Sequence, residues 1–223
     1  AYALPDAELG MTTGGFNNQQ RVSLSFQVTP MLTGSFRYAR FDEIRGPGSD
    51  DTFDRSFDLH YQMLKEGALT PAVAVGLRDF MGTGRYSGEY VVASKQLGPS
   101  LRVTGGLGWG RLGSYNGFSN PLGILGDEFE TRPDGLVGSG GVPLADRFFR
   151  GNAAVFGGFE WQASEALTLL AEYSSDAYRR ETDLGVVEYG SPFNFGLRYR
   201  PRPDFELSAS YILGTELALS GTI

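Results

Sequence analysis

The chain has no cysteine and only one histidine, His60, among its 223 residues. Without thiols there is no disulfide framework, no thiolate nucleophile and no thiolate metal site. One imidazole leaves metal chemistry short of ligands. No apolar run approaches the ~18–20 residues of a membrane-spanning helix, so helical transmembrane proteins are excluded. Basic residues are few and scattered: 19 Lys and Arg against 26 Asp and Glu give a net charge of −7. Nothing gathers them into a patch that could neutralise phosphates, which excludes a nucleic-acid binder. A leader is missing too. Ala1-Tyr2-Ala3-Leu4-Pro5-Asp6 has neither a basic n-region nor an apolar h-region, so a leader is expected to have been removed on export or trimmed away.

What is present is glycine and aromatic side chains: 32 Gly, 16 Phe and 11 Tyr. With Ala-Leu-Glu-Lys runs scarce, this composition points to an all-β chain. Period-2 alternation runs from end to end. In the clearest stretch Val22, Leu24, Phe26 and Val28 point one way, and Arg21, Ser23, Ser25 and Gln27 the other. Phe57, Leu59, Tyr61 and Met63 likewise oppose Asp58, His60 and Gln62. Tyr90 and Val92 are set against Glu89, Ala93 and Lys95, and Leu101, Val103, Leu107 and Trp109 against Arg102, Thr104, Gly106 and Gly108. Phe159 and Trp161 oppose Glu160, Leu169 and Tyr173 oppose Glu172, and Phe195, Leu197 and Tyr199 oppose Arg198 and Arg200. With a shorter first strand near Ala7–Gly14 the pattern predicts about twelve strands of roughly 8–12 residues, the length a tilted strand needs to cross a bilayer. No linker divides residues 1–223, which read as one domain.

The connections alternate in length. Short ones fall at Thr29-Pro30-Met31, 65–70, Leu97-Gly98-Pro99, 163–166 and 201–204; long ones fall at 44–53, 113–149 and 179–191, with the tip Phe80–Arg85 on the same side. Short turns at one rim and long loops at the other are the pattern of an up-and-down outer-membrane barrel, with both chain ends at the short-turn, periplasmic side. A soluble barrel or sandwich also alternates, but its apolar face would have to fit inside. So many Phe, Tyr, Leu and Val side chains are hard to pack into one small barrel and easy to spread around an outer belt. Aromatics at strand ends suit an interfacial girdle: Tyr38, Phe41, Tyr61, Phe80, Tyr90, Trp109, Trp161, Tyr173, Tyr199 and Tyr211. The transmembrane β-barrel is preferred; the soluble β-fold stays open.

On the barrel reading the polar face lines the lumen. It holds Arg21, Arg37, Asp58, His60, Arg78, Glu89, Lys95, Arg102, Glu160, Glu172, Arg198, Arg200 and Glu206, both signs in near balance. Two readings stand side by side: a water-filled passage whose walls bind a polar polymer, or cross-lumen salt bridges that close a narrow barrel. His60 invites a hydrolase guess, but alternation turns it inward beside Asp58 and Gln62, with no serine singled out as partner. Gly105-Gly106-Leu107-Gly108-Trp109-Gly110 is no phosphate loop, because no helix follows it. Asp50, Asp51 and Asp54 lack the spacing and terminal Glu of a calcium loop. The stretch 113–149 is long enough to act as a plug or a partner surface, and a single helical turn is predicted within Pro143–Phe149. Tyr115, Phe118 and Tyr189 in the loops are candidate faces for sugar.

Several motifs then fall in order. They are Asp54-Arg55-Ser56-Phe57-Asp58-Leu59, Leu64-Lys65-Glu66-Gly67, and Pro71-Ala72-Val73-Ala74-Val75-Gly76-Leu77-Arg78-Asp79. Gly82-Thr83-Gly84, Ser87-Gly88-Glu89-Tyr90 and Gly106-Leu107-Gly108-Trp109-Gly110-Arg111-Leu112 continue the series, and Gln27-Val28-Thr29-Pro30-Met31-Leu32 fits ahead of it. Over roughly residues 1–115 the chain resembles the YjbH/GfcD family of exopolysaccharide and capsule proteins. The resemblance implies an outer-membrane β-barrel of Gram-negative bacteria in contact with outer-membrane lipid, a polysaccharide and other exopolysaccharide secretion proteins. It implies no cofactor, no metal and no catalytic residue. Family members are longer, and the chain lacks the closing Phe or Trp usual for such barrels, so it is expected to be an N-terminal barrel of a longer protein or a relative with altered ends.

Overall fold

A computed structural model describes residues 1–42, 52–135 and 141–223. Twelve antiparallel strands follow one another: β1 (Leu9–Phe16), β2 (Gln19–Thr29), β3 (Leu32–Phe41), β4 (Thr52–Leu64), β5 (Ala72–Arg78) and β6 (Gly88–Leu97). The second half holds β7 (Leu101–Trp109), β8 (Ala153–Gln162), β9 (Leu167–Tyr173), β10 (Phe193–Arg202), β11 (Phe205–Ile212) and β12 (Glu216–Thr222). Each strand pairs with its chain neighbours, and β1 pairs with β12 to close the barrel. Closure leaves no unpaired edge, which is what a sheet in lipid requires. At the seam Thr12 lies opposite Thr222 and Gly14 opposite Ser220, with the two threonine hydroxyls 2.9 Å apart.

Both chain ends and the short connections after β2, β4, β6, β8 and β10 share one rim; the tight β1–β2 and β11–β12 turns lie at the other. The segments 79–87, 110–135, 141–152 and 174–192 rise from that other rim. The tight β1–β2 turn at the long-loop rim needs a positive φ, and Asn17 supplies it at 48°, a residue that tolerates the left-handed region. The acidic residues Asp50 and Asp51, and most of the 44–53 connection, lie outside the described residues. The expected turn within Pro143–Phe149 is a single 3₁₀ turn, Ala145–Arg147. Segment 174–192 also carries one short helix, Arg179–Asp183, which strand-length arithmetic does not reveal.

Leu24, Phe36, Phe57, Val91, Val103, Phe159, Leu169, Leu197, Leu207 and Leu219 share one register around the barrel. Most of these side chains stay exposed, Phe159 at 50% and Leu219 at 66%. A continuous apolar belt of this kind is the surface a barrel turns to lipid. The inward register carries serine, threonine, glycine and charge. Where an aromatic ring faces inward, glycine makes room for it. A Cβ on Gly76 would sit 2.2 Å from the Tyr90 ring, and one on Gly106 2.6 Å from Phe156. The Gly76→Val variant is therefore expected to lose roughly 1–3 kcal/mol through overpacking, read as a lower urea midpoint of the folded barrel.

Strand β6 corrects the sequence reading. Tyr90, Val92, Ser94 and Gln96 lie opposite Gly108, Gly106, Thr104 and Arg102 on the inward face, so Glu89 and Lys95 fall in the outward register beside Leu77 and Val103. Three large apolar residues in succession, Tyr90-Val91-Val92, hide the phase of this strand. The small faces of Gly76, Ala74 and Gly106 then admit Tyr90 and Val92 inside. Both displaced charges are compensated near a rim. Glu89 is 1% exposed under loop 110–152, paired with Arg132 at 2.6 Å, and Lys95 reaches Glu66 at 2.9 Å in the β4–β5 turn.

The aromatic girdle is corrected in the same way. Tyr38, Tyr61, Trp161, Tyr173, Tyr199 and Tyr211 take the outward register, but Phe41 and Tyr90 point inward. Phe41 is fully buried against Tyr86. Trp109 is covered by the long loop, its indole N–H donating to Asn120 Oδ1 at 3.0 Å.

Candidate functional site

The lumen is built from the inward register, and its polar groups fall into three tiers. At the short-turn rim Arg102, Glu160, Arg198, Glu206 and Arg200 alternate in sign around β7, β8, β10 and β11. Successive separations are 3.5, 3.3, 3.2 and 2.6 Å. Arg102, Glu160, Arg198 and Arg200 border a cavity of about 190 Å³ together with Gln162 and Thr168. Cross-strand placement explains the ladder: Arg102 lies opposite Glu160, and Arg198 opposite Ser208 and Thr168. Nearby, the side chain of Tyr2 hydrogen-bonds Glu66 and lies under the Arg102 guanidinium at 4.7 Å.

The middle tier is narrower. His60 Nδ1 lies 2.8 Å from the Tyr90 hydroxyl, and Tyr90 meets Phe156 edge-on at 6.4 Å between ring centroids. Arg37 donates to Ser56 Oγ at 2.9 Å and to Asp58 at 3.2 Å. Asp58 Oδ1 also accepts the Asp79 backbone N–H at 2.8 Å, and among the described residues His60 bonds Tyr90 rather than Asp58. Arg78 faces the space between this tier and the next, bordering both a 170 Å³ cavity with His60 and the cavity above it.

In the third tier a cavity of about 230 Å³ is lined by Arg21, Arg78 and Glu172 from the strands. Its ceiling is made of loop. Phe41 and Ala39 pack on Tyr86, while Phe16 packs on Val187 and Leu213, with Tyr178 against them. These apolar clusters inside the long-loop rim surround one ion-pair centre. Arg111 reaches Asp176 at 2.5 Å and Glu181 at 2.9 Å, all three side chains less than 10% exposed, with Tyr178 and Tyr86 rings at 4.5 and 5.2 Å. Two carboxylates on one buried guanidinium satisfy a charge that would otherwise be costly there. The segment 174–192 is thus folded down onto the lumen, and loop 110–152 contributes the arginine that holds it. Within segment 113–149, Asn120 covers Trp109 and Arg132 covers Glu89 along the rim.

Beside this closure sits Asp79, the residue after β5. Its side chain is fully buried; Oδ2 accepts the Tyr86 N–H at 2.9 Å and Oδ1 has no partner. Burial, with Asp54 adding repulsion, pushes its carboxyl up to about 7. Because the folded chain then binds a proton that the unfolded chain releases near pH 4, stability falls as pH rises from about 4 to about 7. At about 1.4 kcal/mol per pH unit, the full span amounts to roughly 3–4 kcal/mol. Asp79→Asn is expected to flatten this dependence, measured by urea unfolding of the detergent-folded barrel at pH 5 and pH 8.

Eleven of the thirteen lumen candidates stand on the inward register: Arg21, Arg37, Asp58, His60, Arg78, Arg102, Glu160, Glu172, Arg198, Arg200 and Glu206; Glu89 and Lys95 do not. Arg111, Asp176 and Glu181 went unmarked because the bonds joining them span 65 and 70 positions, and no local pattern announces such a cluster. Tyr115 meets Tyr189 at 5.4 Å and Tyr173 at 6.2 Å. Phe118 stays 43% exposed. Among the described residues no group of three His, Cys, Asp or Glu could hold a metal ion.

The comparisons with known proteins agree with this architecture. Among solved structures the barrel is similar to the KdgM porin, at 8% identity and a TM-score of 0.50 with 96% of each chain covered. It is similar also to the KdgM porin in complex with disordered oligogalacturonate, at 7% identity and 0.51 with the same coverage. At such identities the likeness bears on the fold alone. In sequence, the chain is 34% identical over 215 residues to a protein of Escherichia coli (strain K12) described as uncharacterized lipoprotein YjbH. That match takes in 93% of the chain but only 30% of the relative's length. The family described as exopolysaccharide biosynthesis protein YbjH matches residues 1–223 in full. With a closed twelve-strand barrel and an apolar outer belt, the chain is an outer-membrane protein of Gram-negative type, and it belongs to the YjbH exopolysaccharide biosynthesis family.

Proposed function

We propose that this barrel is a non-enzymatic outer-membrane component that assists the export or surface presentation of an exopolysaccharide, working beside other secretion proteins. The observation that carries the reading is the inward face. Its charges alternate in sign and border cavities, as walls that hold a hydroxyl-rich chain by many weak polar contacts require. Membership of an exopolysaccharide biosynthesis family supports a polysaccharide as that chain. On this reading the lumen residues Arg21, Arg78, Arg102, Glu160, Glu172, Arg198 and Arg200 touch the sugar chain, and the long loops face the cell exterior. Tyr115, Tyr189 and Phe118 offer it aromatic faces there. The domain reading is part of the same proposal: residues 1–223 form one barrel unit of a longer protein.

The closed ceiling favours presentation, or passage gated by the loops, over a permanently open pore. Catalysis finds no support around His60. Among the described residues its side-chain partner is the Tyr90 hydroxyl, its Nε2 is buried without a partner, and Asp58 binds Arg37 and the Asp79 amide. His60→Ala is therefore expected to leave polysaccharide secretion at the wild-type level in a complemented deletion strain. A large drop, with the barrel still heat-modifiable on gels, would favour a hydrolase instead. The proposal as a whole is tested by deleting residues 1–223 from the full-length protein. Unchanged amounts of surface polysaccharide would sink it.

A further inference from the structure

Above the Arg111 centre, residues within 84–87, 110–114, 130–135, 147–152 and 176–180 enclose another cavity, about 460 Å³ and open to the long-loop side. Its size falls within the range of ordinary ligand sites. Seven arginines border it against three carboxylates, in a chain whose net charge is −7. Two of the seven are neutralised, Arg111 by Asp176 and Glu181 and Arg132 by Glu89. The other five, Arg85, Arg147, Arg150, Arg179 and Arg180, have no carboxylate partner among the described residues.

These groups are not loose surface charges. Arg147 is only 7% exposed, and its Nη1 donates to the Gly135 carbonyl at 2.8 Å. Arg85 lies over the Phe41 ring at 4.4 Å, and Arg179 is tied to the Ser114 carbonyl at 2.7 Å. Yet Arg85 Nε and Nη1, and Arg147 Nε, are buried without an acceptor. A buried donor left unsatisfied costs about 1–3 kcal/mol, more when charged. Like charges held in one cavity add repulsion: burial and the neighbouring Arg85 pull Arg180 below the usual arginine range. Such an arrangement is unfavourable empty and favourable around an anion with several acceptor oxygens.

We propose that this arginine-lined cavity binds the carboxylate groups of an acidic saccharide chain. The anion chemistry follows from the cavity; the identity of the anion as a sugar acid rests on the exopolysaccharide reading above. Guanidinium forks match planar carboxylates in pairs, and arginines contributed by three separate segments suit a ligand that carries such groups at intervals. The site opens away from the short-turn rim and shares Arg111 and Asp176 with the lumen cavity beneath it. It therefore stands where a chain held at the long-loop side would be gripped.

The test is calorimetric titration of the detergent-folded chain with a glucuronate-containing oligosaccharide, a neutral glucose oligomer of equal length, and inorganic phosphate. The acidic oligomer is expected to bind in a salt-dependent way and the neutral one at least about tenfold more weakly. The Arg150→Gln/Arg179→Gln double variant alters one half-buried and one exposed side chain, so folding, checked by heat-modifiable migration, is expected to survive. It should weaken the acidic oligomer about tenfold or more, whereas Arg202→Gln, an exposed side chain at the opposite rim, should leave it unchanged. Equal binding of neutral and acidic oligomers, or wild-type affinity in the double variant, would overturn the proposal. So would inorganic phosphate, or vesicles containing a phosphorylated glycolipid, displacing the acidic oligomer at a lower concentration than free glucuronate does, because the site would then be a phosphate site. No binding of the acidic oligomer by the wild-type chain, in a protein whose secretion still depends on residues 1–223, would remove this site alone. Intact binding in a chain whose deletion leaves secretion unchanged would instead remove the export reading and with it the saccharide assignment.

Discussion

Leu197→Arg is expected to cost roughly 2–4 kcal/mol of barrel stability in a bilayer, the cost of a guanidinium at the lipid midplane of a transmembrane barrel. Leu197 lies near the middle of β10, level with Leu169 on β9 and Ala209 on β11, on the outward face, and is 42% exposed. In a water-soluble barrel the same change would place a charge on a wet surface and cost close to nothing. A control arginine at Ser208, one register step away on the inward face opposite Arg198, should cost less, because the lumen already manages charge with Glu206 and Glu160 nearby. Unfolding in lipid vesicles and in detergent, compared for the two variants, reads the difference.

Arg111→Leu is the second large effect. Removing the one cation that Asp176 and Glu181 share leaves two buried carboxylates uncompensated. Breaking a buried pair by deleting one partner typically costs about 3–5 kcal/mol. The twelve-strand wall does not depend on this cluster, so the loss is expected to be local. Segment 174–192 should lift away from Phe16 and Leu213 and become open to protease, while the barrel keeps its heat-modifiable migration. A triple change that also replaces Asp176 by Asn and Glu181 by Gln should recover part of the closure, because no unpaired charge then remains buried. Equal protease resistance in wild type and Arg111→Leu would mean that the apolar clusters alone hold the loop.

The wall of this barrel could be read directly because each strand repeats one simple alternation and the lipid-facing set is large and apolar. Val22, Leu24 and Phe26 on β2, or Phe193, Phe195 and Leu197 on β10, leave no doubt about phase. Phase fails where the alternation is broken by side chains of one kind. Tyr90-Val91-Val92 could face either way from local pattern, and only the glycines on β5 and β7, which accept Tyr90 and make room for Phe156, decide it. Phe41 misleads for the related reason that an aromatic at a strand end suits a membrane interface and an inward-folded loop equally well.

The closure was the least legible part. Asp176, Glu181 and Tyr178 sit in a connection whose length announces a loop but not its direction, and their partner Arg111 follows a glycine-rich strand end more than sixty positions earlier. Ion pairs made across such separations depend on loops folding back over a wall that has to close first. The arginine cavity above them is hidden likewise, since its members come from three connections that are remote in sequence.

The central claim is a polar-lined outer-membrane barrel whose long loops close it at one rim. Planar-bilayer conductance of the folded chain, wild type beside Arg111→Leu, tests this most directly. Wild type is expected to be nearly silent or to show only brief small events, and Arg111→Leu to give stable ohmic steps. Large steady steps from wild type, indistinguishable from those of the variant, would contradict the closure. Silence from both, in a variant whose 174–192 segment has become protease-sensitive, would contradict the lumen as a continuous passage.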